Sequence, residues 1–134
     1  MLKSSGMLTL GEHVAVSNFS VIHCTRAVEL RDFASTAERV TIIDSEKSHD
    51  GSDAFVLNQP LTVDPVVVEE NVFIAANVVI TKGTRVGKNS VVGAGAVLTG
   101  GDYPAGQLIA GAPARTIRAL APSEADQAKE SSSR

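Results

Sequence analysis

Between Val68 and Leu98 an aliphatic residue returns at every sixth position: Val68, Ile74, Ile80, Val86, Val92 and Leu98. Four residues into each unit comes a second column of mostly small side chains: Val72, Val78, Thr84, Ser90 and Ala96. Directly before that column stand Asn71, Asn77, Gly83, Asn89 and Gly95. Gly and Asn tolerate positive φ better than other residues, so this third column predicts a turn in every unit. The spacing fits neither the period of a helix nor the alternation of a flat sheet. It predicts short strands and tight turns wound into a parallel β-helix, an all-β solenoid.

A degraded form of the same period runs upstream. Leu10, Val16 and Ile22 open units, with Val14 and Ser20 in the small column. A slip of two residues around Cys24–Glu29 resets the frame, after which Leu30, Thr36 and Ile42 open units beside Ala34 and Val40. This predicts about one turn of solenoid on each side of the slip. Thr36 is an imperfect inward residue, and Arg26 cannot sit inside. The expected organisation is a weakly ordered start at 1–9, the solenoid domain over 10–120, and a flexible polar tail at 121–134. After Leu98 the chain is expected to leave the repeat through Thr99–Gln107, where Gly100, Gly101, Pro104 and Gly106 enforce turns.

From Asp44 to Asp64 the period breaks altogether. The segment opens with polar turn signals, and Pro60 and Pro65 flank its exit. Loops of that length are uncommon in compact domains and are usually functional or disordered. Residues 45–64 are therefore expected to form a loop extruded from one corner of the solenoid.

Composition sharpens this picture. A length of 134 residues fits one domain. With 43% apolar residues but only 4% aromatic and no Trp, the core is one of stacked aliphatics, which suits a narrow solenoid. No stretch reaches the ~18 apolar residues of a membrane helix, and the N-terminus lacks the apolar run of a secretory leader. The single cysteine, Cys24, excludes an internal disulfide; it reads as a small buried hydrophobe in a cytoplasmic protein. Net charge is −3, unevenly spread. Residues 1–65 sum to −4 and residues 66–118 to +2, a balance that suits a phosphate-bearing ligand near the second half. A dense basic patch interleaved with aromatics is missing, so nucleic-acid binding is not expected.

VGKNSVVGAGAV, followed by GAPARTIR, resembles the hexapeptide-repeat acyltransferases of the left-handed β-helix superfamily. The resemblance is to the galactoside, maltose and xenobiotic O-acetyltransferase branch, whose fragments read roughly IGDxxxVGAGSVV and GxPAKxIR. It covers Leu10 to about Leu120, strongly from Pro65 onward. Left-handedness is implied by this resemblance and not by the period. So is a homotrimer with active sites between subunits, using acetyl-CoA without a metal and acting on a small hydroxyl acceptor such as a carbohydrate.

The resemblance also implies roles. His49 matches the histidine at the start of the family's extruded loop, the general base. Imidazole can take the proton of an alcohol, itself a poor nucleophile at neutral pH. Asp44 and Asp50 are both candidates to orient its ring, and the residues alone do not choose between them. Asn18 resembles an asparagine that contacts substrate. Phe73 sits where the family often has Trp, a flat wall for the thioester arm. Ala76 and Ala94 match corners that offer backbone groups to pantetheine. Thr99 matches a coenzyme A contact, but the Lys that usually follows is Gly100 here. Arg115 and Arg118 match the basic pair facing the nucleotide phosphates, a task suited to the planar guanidinium. The family's acidic sugar contact has no counterpart, since Arg26 falls nearby.

Two other classes compete. A zinc hydro-lyase like the γ-class carbonic anhydrases would use His13, His23 and His49, but these lack any tight ligand pair. A non-catalytic β-helix scaffold is the other, given Gly100 and the missing acidic contact.

Overall fold

Stacking of the inward columns winds the chain into a solenoid. In the computed structural model, which describes residues 1–121, each turn contributes one short strand to each of three parallel sheets. The first coil holds β1 (Leu2–Ser4), β2 (Met7–Leu10) and β3 (Ala15–Val16). The second holds β4 (Val21–Cys24), β5 (Ala27–Leu30) and β6 (Ser35–Thr36). The third begins with β7 (Thr41–Ile43), is interrupted by an arm carrying β8 (Ser45–Lys47) and β9 (Leu61–Val63), and resumes with β10 (Val66–Val68) and β11 (Phe73–Ile74). The fourth holds β12 (Val79–Ile80), β13 (Thr84–Val86) and β14 (Val91–Val92). The fifth holds β15 (Val97–Leu98), β16 (Gly101–Tyr103) and β17 (Gln107–Gly111), after which β18 (Ala114–Ala119) folds back antiparallel on β17.

The first face stacks β1, β4, β7, β12 and β15; the second stacks β2, β5, β10, β13 and β16; the third stacks β3, β6, β11, β14 and β17. Register places the openers of successive units one above another. Ile22, Ile42, Ile80 and Leu98 form one inward column, and Thr36, Ile74, Val92 and Ile109 form another. Val72, Val78, Thr84, Ser90 and Ala96 are likewise buried. Burying such an aliphatic side chain contributes roughly 1.5–3 kcal/mol relative to leaving it exposed. Cys24 is fully buried in this core, as expected of a small hydrophobe.

Corners, not strands, carry the conformational demand. At the second corner (between second and third faces) His13, Phe33, Asn71, Asn89 and Gly106 all have positive φ. At the third corner (between third and first faces) Phe19, Arg39, Asn77 and Gly95 do. Every Gly and Asn of the expected turn column, Gly83 included, adopts this left-handed conformation. In the first two coils the same stations are filled by His, Phe and Arg, which adopt it at a cost.

Three boundaries differ from expectation. The solenoid starts before residue 10: β1 pairs with β4 and β2 with β5, so residues 1–9 supply two faces of the first coil. Their period is hidden because the corner between β1 and β2 is wider, matching the slip at Thr25–Arg26 one coil on. Nor does the repeat end at Leu98. Gly101–Tyr103 lies beside Thr84–Val86, and Gln107–Gly111 beside Val91–Val92, completing a fifth coil whose sequence has lost the period. Finally, the extruded segment is an arm with its own antiparallel pairing, Ser45 opposite Val63 and Lys47 opposite Leu61, and a 3₁₀ turn at Val56–Asn58. Of the tail expected at 121–134, residues 122–134 lie outside the described part.

Candidate functional site

Corner ladders position one group of candidates. At the third corner the carbonyl of Asn18 accepts the amide of Arg39 at 3.1 Å, that of Glu38 accepts Asn77 at 3.1 Å, and that of Ala76 accepts Gly95 at 3.0 Å. Asn18, Glu38, Ala76 and Ala94 therefore occupy equivalent stations on successive coils. Asn18 and Ala94 are exposed and Ala76 is half-buried. With only methyl groups at 76 and 94, the upper part of this corner leaves its backbone open to close approach. Phe73 lies on the adjoining third face between Ser35 and Val91, pointing outward and 43% exposed. Arg115 and Arg118 project from β18 at the C-terminal end of that face, both exposed. Ala76, Ala94, Phe73, Arg115 and Arg118 thus form one stripe along the third face and its edge. Thr99 is exposed at the first corner (between first and second faces), across the first face from this stripe.

His49 lies elsewhere. It is exposed in the arm, which leaves the solenoid at the first corner, and with Asp50, Gly51, Ser52, Ala54, Val56 and Gln59 it lines a hollow of about 230 Å³. No side-chain hydrogen bond of His49 occurs among the described residues. Asp50 accepts the amide of Ser52 at 3.0 Å. Hydrogen bonds from the Ser52 hydroxyl and amide hold the Asp50 carboxyl below its usual range. Asp50 thus remains beside His49, engaged in a local turn.

Asp44 does not. Its carboxylate is fully buried and accepts three backbone amides: Thr25 and Arg26, each at 2.7 Å, and Ala27 at 2.9 Å. One coil earlier, the equivalent amides of Ser5 and Met7 donate to the carbonyls of Cys24 and Arg26. The second coil finds no such backbone above it, because the arm departs there. Buried amides must be paired, and Asp44 pairs them. Its expected role as a partner of His49 or of substrate is corrected by this geometry: both oxygens are committed to the solenoid.

Lys82 stands in the turn between β12 and β13 on the fourth coil. Its Nζ lies 3.5 Å from Glu46 Oε1 and 3.7 Å from Asp64 Oδ2, at the root of the arm. Only contacts across the stack reveal it; its local sequence carries no signal.

The three histidines sit at separate stations. His13 stacks on Phe33 at the second corner with ring centroids 5.2 Å apart, His23 is on the first face, and His49 is on the arm. No group of His, Cys, Asp and Glu arranged to hold a metal ion occurs among the described residues. A larger hollow, about 330 Å³, lies against the second face between Glu29, Arg31, Asp32 and Glu70. Its arginine is already surrounded by Glu29 at 3.0 Å, Glu70 at 3.6 Å and Glu69 at 3.8 Å, an acidic network that disfavours an anion at the guanidinium. The described residues contain no helix long and apolar enough to cross a membrane.

Comparison with known proteins places the repeat. The bacterial transferase hexapeptide family (six repeats) matches residues 65–100. A 2,3,4,5-tetrahydropyridine-2,6-dicarboxylate N-acetyltransferase of Staphylococcus carnosus is 52% identical over 60 residues, covering 45% of this chain and 25% of that protein. This chain therefore spans about a quarter of the length of such curated relatives. A hexapeptide-repeat acetyltransferase from Vibrio cholerae, solved with acetyl coenzyme A, superposes with a TM-score of 0.79 at 25% identity, over 90% of this chain and 66% of that one. A maltose O-acetyltransferase from Clostridium difficile gives 0.72 at 24% identity, over 91% and 68%. The shared architecture is the left-handed β-helix.

Proposed function

We propose that the chain, whose residues 65–100 match the bacterial transferase hexapeptide family, is an acetyl-CoA-dependent acetyltransferase acting on a hydroxyl of a small acceptor such as a carbohydrate. The observation that carries this reading is the small-residue corner at Ala76 and Ala94 that leads to two exposed arginines, with an exposed imidazole on the arm across the first face. The corner at Ala76 and Ala94 takes the pantetheine arm, Phe73 walls it, and Arg115 and Arg118 meet the nucleotide phosphates. Thr99 adds a contact if the nucleotide reaches across the first face. Asn18, at the far end of the same corner, contacts the acceptor.

In the reaction, His49 takes the acceptor proton as the oxygen attacks the thioester carbonyl. Collapse of the tetrahedral intermediate breaks the carbon–sulfur bond, and the imidazolium returns the proton to the thiolate. Backbone amides of the corner stabilise the oxyanion. Asp50 is the carboxylate left to orient His49.

Arm and corner stand on opposite sides of the first face in one chain, so the site is completed by a neighbouring copy, in keeping with a homotrimer. Outward positions support such packing. Val21, Thr41, Val79 and Val97 line the first face, and Phe73, Val91 and Leu108 the third, whereas the second face presents Glu29, Arg85 and Asp102. The arm tip adds exposed Phe55 and Leu57.

An amine acceptor is the second reading, favoured by the N-acetyltransferase name of the matched Staphylococcus protein. Release of free thiol from acetyl-CoA with sugar and amino-compound panels distinguishes the two. Turnover by wild type and its loss in His49→Ala supports the mechanism; undiminished transfer by that variant contradicts it.

A further inference from the structure

We propose that Lys82 is a positioning residue for this reaction, holding the arm so that His49 is delivered in register; the inference rests on the reading of His49 as base. The arm replaces the first corner of the third coil, so the coils below and above hold its root. From below the hold is buried and made of hydrogen bonds: the Asp44 carboxylate caps the second-coil amides, and Thr25 Oγ1 donates to Ser45 Oγ at 3.2 Å. From above it is ionic. Glu46 belongs to β8 and Asp64 directly follows β9, so the single Lys82 ammonium, 3.5 Å and 3.7 Å away, ties both strands of the arm to the fourth coil. The Gly83 amide adds a bond to the Asp64 carbonyl at 3.3 Å.

Beyond this root the arm runs out to an exposed tip. A small rotation at the base therefore becomes a displacement at His49, and a misplacement of about 1 Å can cost on the order of a hundredfold in rate. Both carboxylates are more than half exposed, so the pair contributes little to folding stability. Its effect lies in geometry. It is also open to screening by salt.

The test compares Lys82→Met and Lys82→Arg with wild type, reading arm amide hydrogen exchange (residues 45–64), kcat, KM for acetyl-CoA and melting temperature. Lys82→Met is expected to exchange faster in the arm. Its kcat should fall about tenfold or more, with KM for acetyl-CoA and melting temperature unchanged. Lys82→Arg, whose fork can reach both acids, should restore exchange and kcat. Raising the salt concentration should move wild type toward Lys82→Met. Wild-type exchange in Lys82→Met, or faster exchange with unchanged kcat, overturns the proposal. If wild type acetylates nothing, the functional reading fails by itself, and the exchange comparison still decides whether Lys82 anchors the arm.

Discussion

Oδ2 of Asp44 accepts the backbone amide of Arg26 at 2.7 Å, and so substitutes for a solenoid corner that the arm has displaced. Thr25 and Ala27 share the same carboxylate. An insertion at a corner would otherwise strand the amides of the coil beneath it. One buried side chain lets the stack continue across the gap, and the arm that carries His49 starts from that residue.

Replacing Asp44 with Asn should therefore destabilise the fold. The amide can present only one acceptor oxygen and turns a donor toward backbone donors. Hydrogen bonds to a charged group are worth about 1.5–3 kcal/mol each, so a loss of about 2–3 kcal/mol is expected in urea unfolding. A loss below about 0.5 kcal/mol, the range of ordinary surface changes, would show that water pairs these amides equally well.

The same carboxylate should shape acid stability. Burial alone pushes the Asp44 carboxyl up, and the amides of Thr25, Arg26 and Ala27 outweigh it, leaving it below the usual range. A depressed folded-state pKa gives stability that is present above the unfolded value of about 3.9 and lost as pH falls through the folded value. Urea midpoints measured from neutral to acid pH should drop below about pH 4 in wild type and drop less steeply in Asp44→Asn. Parallel curves would remove Asp44 from the acid response.

Phe19 offers the opposite prediction. It holds φ at 61° while its side chain is 81% exposed, so the left-handed backbone is unfavourable and little packing offsets it. Asn accepts this conformation more readily. Phe19→Asn should raise stability by about 0.5–1 kcal/mol, read from denaturant midpoints. A lowered midpoint would mean that Phe19 packs against another copy.

Ala94 tests the corner. Its exposed methyl touches little of the core, so Ala94→Leu should melt like wild type. A bulky side chain over the open backbone should weaken coenzyme A binding at least tenfold, about 1.4 kcal/mol. Unaltered affinity would move the pantetheine arm off this corner.

How far the sequence shows all this depends on where each determinant lies. The aliphatic columns and the turns at Asn71, Asn77 and Asn89 are local and periodic, so the later coils are readable directly. The first two coils place His13, Phe19, Phe33 and Arg39 at equivalent turns, residues without turn propensity, because the stack imposes the conformation. Residues 1–9 and 99–109 were obscured for a related reason: their corners are wider or narrower than the repeat. Asp44 lies five residues before His49 in sequence, which suggests a catalytic partner. Its actual contacts are with Thr25–Ala27 one coil away, a relation set by stacking. The clamp from Lys82 to Glu46 and Asp64 is equally non-local. Motif resemblance alone singles out His49 and the Ala76–Ala94 corner as candidates, and the separation between them is a relation set by the coiling of the chain.

Calorimetric titration of coenzyme A into the full chain tests the central claim most directly. The account predicts saturable binding with one site per chain, weakened in Arg115→Ala and Arg118→Ala. A well-folded protein that takes up no coenzyme A would contradict it, and would leave the solenoid as a scaffold.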